Sequence, residues 1–311
     1  MMSESTKVIE GIIVPLLTPA DGQERVDESA MRALIRHCLE GGADALFIGG
    51  TSGMGPLWPM AQWERIMEIA QDEVGNTAPL LGGVIEMSRA RAIERIRVLE
   101  HIGYEHMVVT PTYYISPEKN DEFLSYFGAC RDATDLNMII YNIPSCTHAS
   151  IPVEVIAEMV KRGWTKCIKE SSGDQDYFSQ LMDAVAGSGI AVLQGNEPDI
   201  AWGLRKGAHG IVPVCANYAP SLYAAMCQAA TKKDDERMDA LQEEISAIRE
   251  TLLLGDKNWV AGAMFGISTL GIGSGAVLCP IQELAEAEQR KIEAMTRSRA
   301  ASVQKKAQRH L

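Results

Sequence analysis

Lys169 stands at the end of an apolar run and directly before a polar segment, residues 170–174. Burial disfavours the charged ammonium form of a lysine, and the neutral amine is a nucleophile that can condense with a ketone. The alternative is a surface ion pair between Lys169 and Glu170 at a strand end. The local pattern leaves both interpretations open.

Tyr141 ends the preceding apolar run, residues 137–141. If the two runs are successive parallel strands, their ends lie at the same edge of the sheet. The phenol would then approach the amine of Lys169 and move protons during carbinolamine formation and breakdown. Taken alone, a tyrosine in this position is more often a core residue whose hydroxyl reaches water.

Gly50, Thr51 and Ser52 belong to a Gly-Gly-Thr-Ser-Gly segment, residues 49–53, that follows another apolar run. Glycines allow backbone N–H groups to face a ligand, and two adjacent hydroxyl groups add further donors, so the segment suits a carboxylate. A tight turn between a strand and a helix, with solvated hydroxyls, also explains these residues.

Eight short apolar runs recur along the chain, with helix-like segments between them. They cover residues 12–14, 45–48, 79–84, 106–110, 137–141, 166–169, 190–193 and 210–214. Their spacing fits one strand and one helix per unit, and their continuous hydrophobicity indicates strands covered on both faces. We therefore predict an α/β fold, a (β/α)8 TIM barrel, with catalytic groups at the carboxyl ends of the strands. The pattern does not exclude an open doubly wound sheet.

The segments between the runs carry helix signals. Apolar residues spaced three and four apart predict an amphipathic helix over residues 31–39. Ser116 followed by Pro117 predicts an N-cap with proline at the first helical position, and Ser88 predicts another N-cap.

After the eighth run the pattern is helical only. One amphipathic helix is indicated by Met238, Leu241, Ile245, Ile248 and Leu252, and further helical stretches by residues 259–266 and 282–296. We predict that residues 1–216 form the barrel that carries the site, and that residues 217–311 form its last helix and a C-terminal helical extension.

The composition of the 311 residues is that of a globular protein, with 46% hydrophobic and 23% charged residues. A formal net charge of -12 opposes binding to a phosphate backbone. The one basic stretch, from residue 290 to the end, is interpreted as a solvated helix end. We expect no nucleic-acid partner.

The seven cysteines are odd in number, form no CxxC pair and follow no apolar segment of signal-peptide length. This pattern predicts reduced cysteines in a cytoplasmic protein. No stretch reaches the roughly 18 uninterrupted apolar residues that suggest a membrane span, so no membrane partner is expected. No grouping of His, Cys and Asp has the spacing of metal ligands, and we expect neither a metal nor an organic cofactor.

Four motifs occur in one order at barrel spacing. They are Gly50-Thr51-Ser52-Gly53, Thr110-Pro111-Thr112-Tyr113-Tyr114 with Pro117, Tyr141-Asn142-Ile143-Pro144 and Ile168-Lys169-Glu170, and Gly195 follows the seventh run. Together they resemble the dihydrodipicolinate synthase and N-acetylneuraminate lyase superfamily of class I pyruvate aldolases. The resemblance covers nearly the whole chain.

The resemblance implies a role for each matching residue. Lys169 would form the Schiff base and Tyr141 would relay protons, while Thr51 and Ser52 would hold the carboxylate of the keto acid. Tyr114 matches a tyrosine that reaches across a subunit interface, which implies a homotetramer built as a dimer of dimers.

The outer part of the pocket departs from the family pattern or matches it less specifically. Gly195 and Val212 match positions on the pocket floor. Cys146 stands where the synthase has an arginine that grips the carboxylate of the aldehyde substrate, so the charge and the bidentate fork are both lost. His148 would bind a substrate hydroxyl or carboxylate, or would be an exposed loop residue. Glu197 would bind a polyol chain, or would only open the seventh helix.

A second departure makes the rim of the pocket apolar. Met54 replaces the glutamate that usually follows the glycine-rich loop, and the next residues, 56–58, are Pro-Leu-Trp.

We therefore predict a Schiff-base-forming class I aldolase, a carbon–carbon lyase that acts on pyruvate or a 2-keto-3-deoxy sugar acid. Three alternatives remain. The first is dihydrodipicolinate synthase itself, named 4-hydroxy-tetrahydrodipicolinate synthase by its product, and the second is an imine-dependent dehydratase or deaminase of the same family. The third is a ligand-binding barrel without catalysis, because a fold does not guarantee an activity.

Overall fold

The computed structural model describes residues 9–254 and 258–308. The first eight residues, which bear on the predicted absence of a secretory signal, lie outside the described residues, as does Arg309 at the end of the basic stretch.

Eight parallel strands close into a barrel in chain order. They are β1 (Gly11–Pro15), β2 (Ala45–Ile48), β3 (Leu80–Val84), β4 (His106–Val109), β5 (Asn137–Asn142), β6 (Thr165–Glu170), β7 (Ala191–Gln194) and β8 (Gly210–Ile211). Closure is made where β8 pairs with β1, with Gly210 opposite Gly11 and Ile211 opposite Ile12. The predicted barrel is confirmed, and the open-sheet alternative is wrong.

Helices follow the strands and cover the barrel. They are α1 (Glu28–Glu40), α2 (Met60–Val74), α3 (Arg89–Ile102), α4 (Asn120–Asp132), the single turn α5 (Pro144–Thr147), α6 (Val153–Lys161), α7 (Gln175–Ala184), α8 (Ile200–Arg205) and α9 (Pro220–Lys232). Short 3-10 helices lie at Gly55–Leu57, Glu197–Asp199 and Val214–Asn217.

The C-terminal part is helical, as predicted. It contains α10 (Asp235–Leu253), α11 (Trp259–Ser268) and α12 (Glu286–Gln308). The predicted apolar face of α10 is buried at all five positions: Met238, Leu241, Ile245, Ile248 and Leu252. This face fixes α10 beside α9 and α11.

Two of the predicted helix starts have different outcomes. Ser88 occupies the N-cap position of α3, as predicted, but its side chain makes no capping hydrogen bond. Ser116 is not a cap, because α4 begins four residues later at Asn120 with Lys119 in the cap position. The hydroxyl of Ser116 instead donates a hydrogen bond of 2.6 Å to the carbonyl of Thr147. That contact ties the loop after β4 to the end of α5.

The core has two layers, because successive strand residues point alternately inward and outward. One layer lies between the strands and the helices. The other fills the barrel interior and contains Phe47, Ile139, Tyr141 and Cys167. Lys169 lies two residues after Cys167 and therefore points to the same interior.

No helix among residues 9–254 and 258–308 is long and apolar enough to cross a membrane.

Candidate active site

Lys169 and Tyr141 face each other at the carboxyl end of the barrel. They are register partners on β6 and β5, and the Nζ atom of Lys169 lies 3.9 Å from the centroid of the Tyr141 ring. The ring of Phe47 lies below them, 5.1 Å from Nζ and edge-on to Tyr141. The amine therefore lies between aromatic faces rather than in water.

Burial controls the charge of this lysine. Lys169 is only 6% exposed, and desolvation lowers its pKa from 10.5 to about 7. Near neutral pH a large fraction of the side chain is consequently the nucleophilic amine.

Glu170 does not form the ion pair considered as the alternative for Lys169. Its side chain is also buried, and its Oε1 atom accepts hydrogen bonds from Asn142 Nδ2 at 3.1 Å and from the Ser172 N–H at 2.8 Å. Adjacent strand residues point to opposite sides of the sheet. The lysine therefore faces the barrel interior while the glutamate fixes the loop after β6.

The phenol of Tyr141 is buried as well. Burial raises the pKa of Tyr141, and the neighbouring Thr51 side chain acts in the opposite direction. The hydroxyl keeps its proton at neutral pH and is a donor. Its neighbours place it between the lysine and the glycine-rich loop.

Lys169 opens into a cavity of about 480 Å³. Most residues predicted for the site line this cavity: Thr51, Ser52, Tyr141, Cys146, Lys169, Gly195, Glu197 and Val212. The strand ends of the barrel thus bring together residues that are far apart in the sequence.

Gly195 leaves space for the lysine. A Cβ atom at this position would clash with the hydroxyl of Ser171 and would lie 2.8 Å from the carbonyl oxygen of Glu170 and 3.2 Å from Cε of Lys169. A side chain here would displace either the lysine stem or the loop after β6.

Gly50 shapes the loop after β2 but does not line the cavity. A Cβ atom on Gly50 would lie 2.8 Å from the Phe47 ring, so the glycine allows the loop to pack on this ring. The preceding Gly49 has a φ of 66°, a conformation that favours glycine. The hydroxyl residues Thr51 and Ser52 are thereby placed at the cavity wall.

Besides Gly50, two predicted residues lie outside the cavity within one chain. His148 is exposed and ends α5 with a φ of 56°, which agrees with the interpretation as a loop residue. Tyr114 is 87% exposed and has a φ of 71°. Its neighbour Tyr113 packs against the interior cluster instead.

Glu197 begins a 3-10 helix after β7 and is 5% exposed. Its Oε1 atom accepts hydrogen bonds from the N–H of Cys215 at 2.7 Å and from the hydroxyl of Tyr223 at 3.2 Å. Its Oε2 atom lies 3.8 Å from Nε of Arg249. The glutamate is thus built into the cavity wall and does not simply cap a helix.

Sequence reasoning missed two kinds of cavity residue. Ser171, Ser172 and Asn196 line the cavity directly after β6 and β7, and their position after strand ends was a usable signal. Arg249 and Trp259 also line it. They belong to α10 and α11, whose docking on the barrel mouth the sequence pattern did not specify.

A second, apolar cavity of about 300 Å³ adjoins the first. The two share four wall residues: Thr51, Ile143, Cys146 and Trp259. Met54, Leu57 and Tyr113 also line the second cavity, in agreement with the apolar rim predicted from the replacement of a glutamate by Met54.

Within the described residues, no cluster of three or more His, Cys, Asp or Glu side chains could hold a metal ion.

The fold and the cavity define a (β/α)8 barrel with a buried lysine at the mouth, which is the architecture of the predicted class. The chain belongs to the dihydrodipicolinate synthetase family, whose sequence model matches residues 8–299. Membership confirms the predicted enzyme class, a lyase of the pyruvate-dependent aldolase type.

The chain has relatives of similar length. It is 30% identical over 285 residues to a 4-hydroxy-tetrahydrodipicolinate synthase of Thermomicrobium roseum. The matched region covers 92% of this chain and 93% of the relative. It is 27% identical to an uncharacterised lyase of Halobacterium salinarum, with 92% of each chain covered.

Solved structures show the same fold. The dihydrodipicolinate synthase of Bacteroides thetaiotaomicron superposes with a TM-score of 0.88 at 26% identity, covering 93% of this chain and 98% of the other. A prophage protein of the family from E. coli K12, solved in complex with pyruvate, also has a TM-score of 0.88, at 21% identity and with 94% and 99% coverage.

Proposed function

We propose that Lys169 forms a Schiff base with the keto carbon of pyruvate or of a 2-keto-3-deoxy sugar acid, and that the enzyme makes or breaks the bond between the α carbon, which adjoins the keto carbon, and the β carbon after it. The observation that carries the proposal is the buried amine of Lys169, with its pKa lowered to about 7 and its Nζ 3.9 Å from the Tyr141 ring, at the cavity. A neutral amine beside a protonated phenol has the two functions that imine formation needs.

The steps of cleavage follow from these two groups. The amine of Lys169 adds to the keto carbon to give a carbinolamine. Tyr141 protonates the departing hydroxyl, and water leaves to form an iminium ion. The iminium ion accepts the electron pair of the breaking carbon–carbon bond as the substrate hydroxyl gives its proton to the Tyr141 phenolate, and an aldehyde is released. The enamine then takes up a proton, and water hydrolyses the imine to free pyruvate and Lys169.

Thr51 and Ser52 are proposed to bind the carboxylate of the keto acid. Both line the cavity on the loop after β2, and hydroxyl and backbone donors suit an anion. Gly195 and Val212 line the same cavity, with Gly195 beside the lysine stem, and both are proposed to form its floor.

Tyr114 is proposed to complete a site in a neighbouring subunit. It is exposed together with Ile115, which is 79% exposed, and two adjacent large side chains exposed in this way suit an interface. The positive φ of Tyr114 is costly for a bulky residue and indicates a conformation held for function. We propose a homotetramer arranged as a dimer of dimers, and a cytoplasmic location in which the free cysteines stay reduced.

A second candidate activity is that of 4-hydroxy-tetrahydrodipicolinate synthase, the name of the relative that is 30% identical. That activity condenses pyruvate with an aldehyde that carries a carboxylate. Cys146 stands in place of the arginine expected to bind it, and this favours the first candidate.

The direct assay is pyruvate release from a panel of 2-keto-3-deoxy acids, with aspartate semialdehyde plus pyruvate tested in parallel. We expect Lys169→Ala to abolish turnover. Lys166→Ala is the matched control, because Lys166 is an exposed lysine on the same strand. Turnover of the sugar acids that survives Lys169→Ala would overturn the proposal, and turnover of aspartate semialdehyde alone would establish the second candidate.

A further inference from the structure

A cationic side chain from outside the barrel contributes to the wall of the cavity. Arg249 lies on α10, its side chain is 23% exposed, and it lines the same cavity as Lys169. The other basic group at this wall, Lys169, must be neutral to act as a nucleophile. Among the described residues that line the cavity, Arg249 therefore supplies the permanent positive charge.

The position of Arg249 is fixed by contacts between α10 and the loop after β7. Gln242 donates a hydrogen bond of 3.1 Å to the carbonyl of Glu197 and accepts one of 2.9 Å from the N–H of Ala201. Arg249 follows Gln242 by about two helical turns and so lies on the same face of α10. The helix is thereby fastened to the barrel where the arginine meets the cavity.

Glu197 is suited to orient this arginine. The carboxylate is held by Cys215 and Tyr223 through Oε1, and its Oε2 atom, which has no hydrogen-bond partner among the described residues, lies 3.8 Å from Nε of Arg249. A carboxylate fixed on one side restricts the guanidinium to a limited range of positions. Glu197 is accordingly a positioning residue, acting through Arg249.

The cavity offers an anion little other permanent charge. Cys146 occupies the place of the expected arginine, and Ser145, Ser172 and Asn196 are uncharged. The whole chain has a net charge of -12, which repels anions. A guanidinium in a partly buried wall forms strong, charge-assisted hydrogen bonds with a carboxylate.

We propose that Arg249 binds a second carboxylate, at the end of the substrate remote from the keto acid group. The proposal rests on the proposed function and narrows it to 2-keto acids with two carboxylates, such as 2-keto-3-deoxy aldarates. Sugar acids that end in a hydroxymethyl group are then poorer substrates. Because the adduct of pyruvate and aspartate semialdehyde also has two carboxylates, the parallel assay with aspartate semialdehyde decides between the two candidate activities.

The test measures the apparent affinity of each keto acid from its trapping on Lys169, so it requires no turnover. The concentration dependence of cyanoborohydride trapping is compared for 2-ketoadipate and 2-ketohexanoate, and for 2-ketoglutarate and 2-ketopentanoate. Within each pair the chain length is equal, and only one member has a second carboxylate. We expect the wild type to prefer the dicarboxylate of at least one pair by about 10- to 100-fold, the range of a charge-assisted contact.

Variants test whether Arg249 causes the preference for dicarboxylates. Arg249→Met should abolish it while pyruvate trapping persists, and Arg249→Lys should keep part of it because a point charge remains without the fork. Glu197→Gln should reduce this preference by weakening the apparent affinity for the dicarboxylate, and should leave the maximal trapping rate nearly unchanged. Arg237→Met is the control, because Arg237 is an exposed arginine on the same helix.

The outcomes separate this proposal from the one on which it rests. If pyruvate is not trapped on wild-type Lys169, the Schiff-base proposal fails, and this inference fails with it. If pyruvate is trapped but the wild type shows no preference, or if Arg249→Met and Arg249→Lys both keep the full preference, only the role of Arg249 is overturned. Thermal melting of each variant identifies any loss of the preference that is caused by misfolding. If Arg249→Met is misfolded, the preference of Arg249→Lys tests the role of Arg249.

Discussion

Tyr141 and Lys169 are paired in register on adjacent strands, with the lysine amine 3.9 Å from the centre of the tyrosine ring. The pairing follows from the barrel, because parallel neighbours β5 and β6 end at the same edge. It places a proton donor and a desolvated amine at the cavity in which the substrate is proposed to bind. The relationship leads to testable expectations for rate, stability and assembly.

The rate of imine formation should follow the ionisation of Lys169. Since burial lowers the pKa of Lys169 to about 7, the amine is mostly charged at pH 6 and mostly neutral at pH 8. We expect the initial rate of pyruvate trapping by cyanoborohydride to rise across this interval and then to level off. A rate that continues to rise toward pH 10, as for an exposed lysine, would contradict the lowered pKa.

Stability should depend on the same group. Between pH 7 and 10.5 the unfolded chain keeps the proton on this lysine and the folded chain does not, so raising the pH favours the folded state by up to about 1.4 kcal/mol per pH unit. Lys169→Met removes this contribution. We expect the variant to be more stable than the wild type at pH 6, and its advantage to shrink toward pH 10.

The measurement is the free energy of unfolding by denaturant at several pH values. Lys166→Met, which changes an exposed lysine on the same strand, should show no such trend. A difference between Lys169→Met and the wild type that is constant with pH would count against a neutral buried amine.

Gly195→Ala should impair the site without a comparable loss of fold. The added Cβ atom would lie 2.8 Å from the carbonyl oxygen of Glu170 and 3.2 Å from Cε of Lys169, so the lysine or its loop must move. We expect at least a roughly tenfold loss of trapping rate, since small misplacements of reacting groups can cost about 100-fold. Gly22→Ala is the control, because a Cβ atom there meets nothing within 4 Å. Equal rates for both variants would show that this space is not needed.

Tyr114 should act in the site of a partner subunit. Tyr114→Phe is expected to lower turnover while leaving imine formation largely intact. Mixed dimers of Tyr114→Phe and Lys169→Ala chains should regain activity, because one of the two shared sites then has both residues. Mixtures as inactive as their parents would indicate that the tyrosine does not cross the interface.

The sequence was sufficient to predict the barrel and most of the cavity because both depend on strand ends. Continuous apolar runs mark buried parallel strands, and the residues that follow them must meet at one edge. The residues Thr51, Tyr141 and Lys169 were found in this way, whereas Gly195 came from the family resemblance. The sequence left open an ion pair between Lys169 and Glu170. This alternative was removed once it was known which residues of β6 point inward and which point outward.

The rest depended on packing that no local pattern reveals. Arg249 directly follows Ile248 at the edge of the apolar face of α10, where a long charged side chain ordinarily reaches solvent, and only the docking of α10 brings it to the cavity. Ser116 has the local signature of a helix cap, but its hydroxyl bonds to the Thr147 carbonyl from a distant segment. Tertiary contacts decided both cases.

The central claim is that Lys169 is the residue that forms the imine. The protein is incubated with pyruvate and borohydride, and intact mass and peptide mapping locate any adduct. We predict one reduced pyruvate adduct per chain, on Lys169, that is absent from Lys169→Ala and present in Lys166→Ala. No added mass, or the same added mass in Lys169→Ala, would contradict the account.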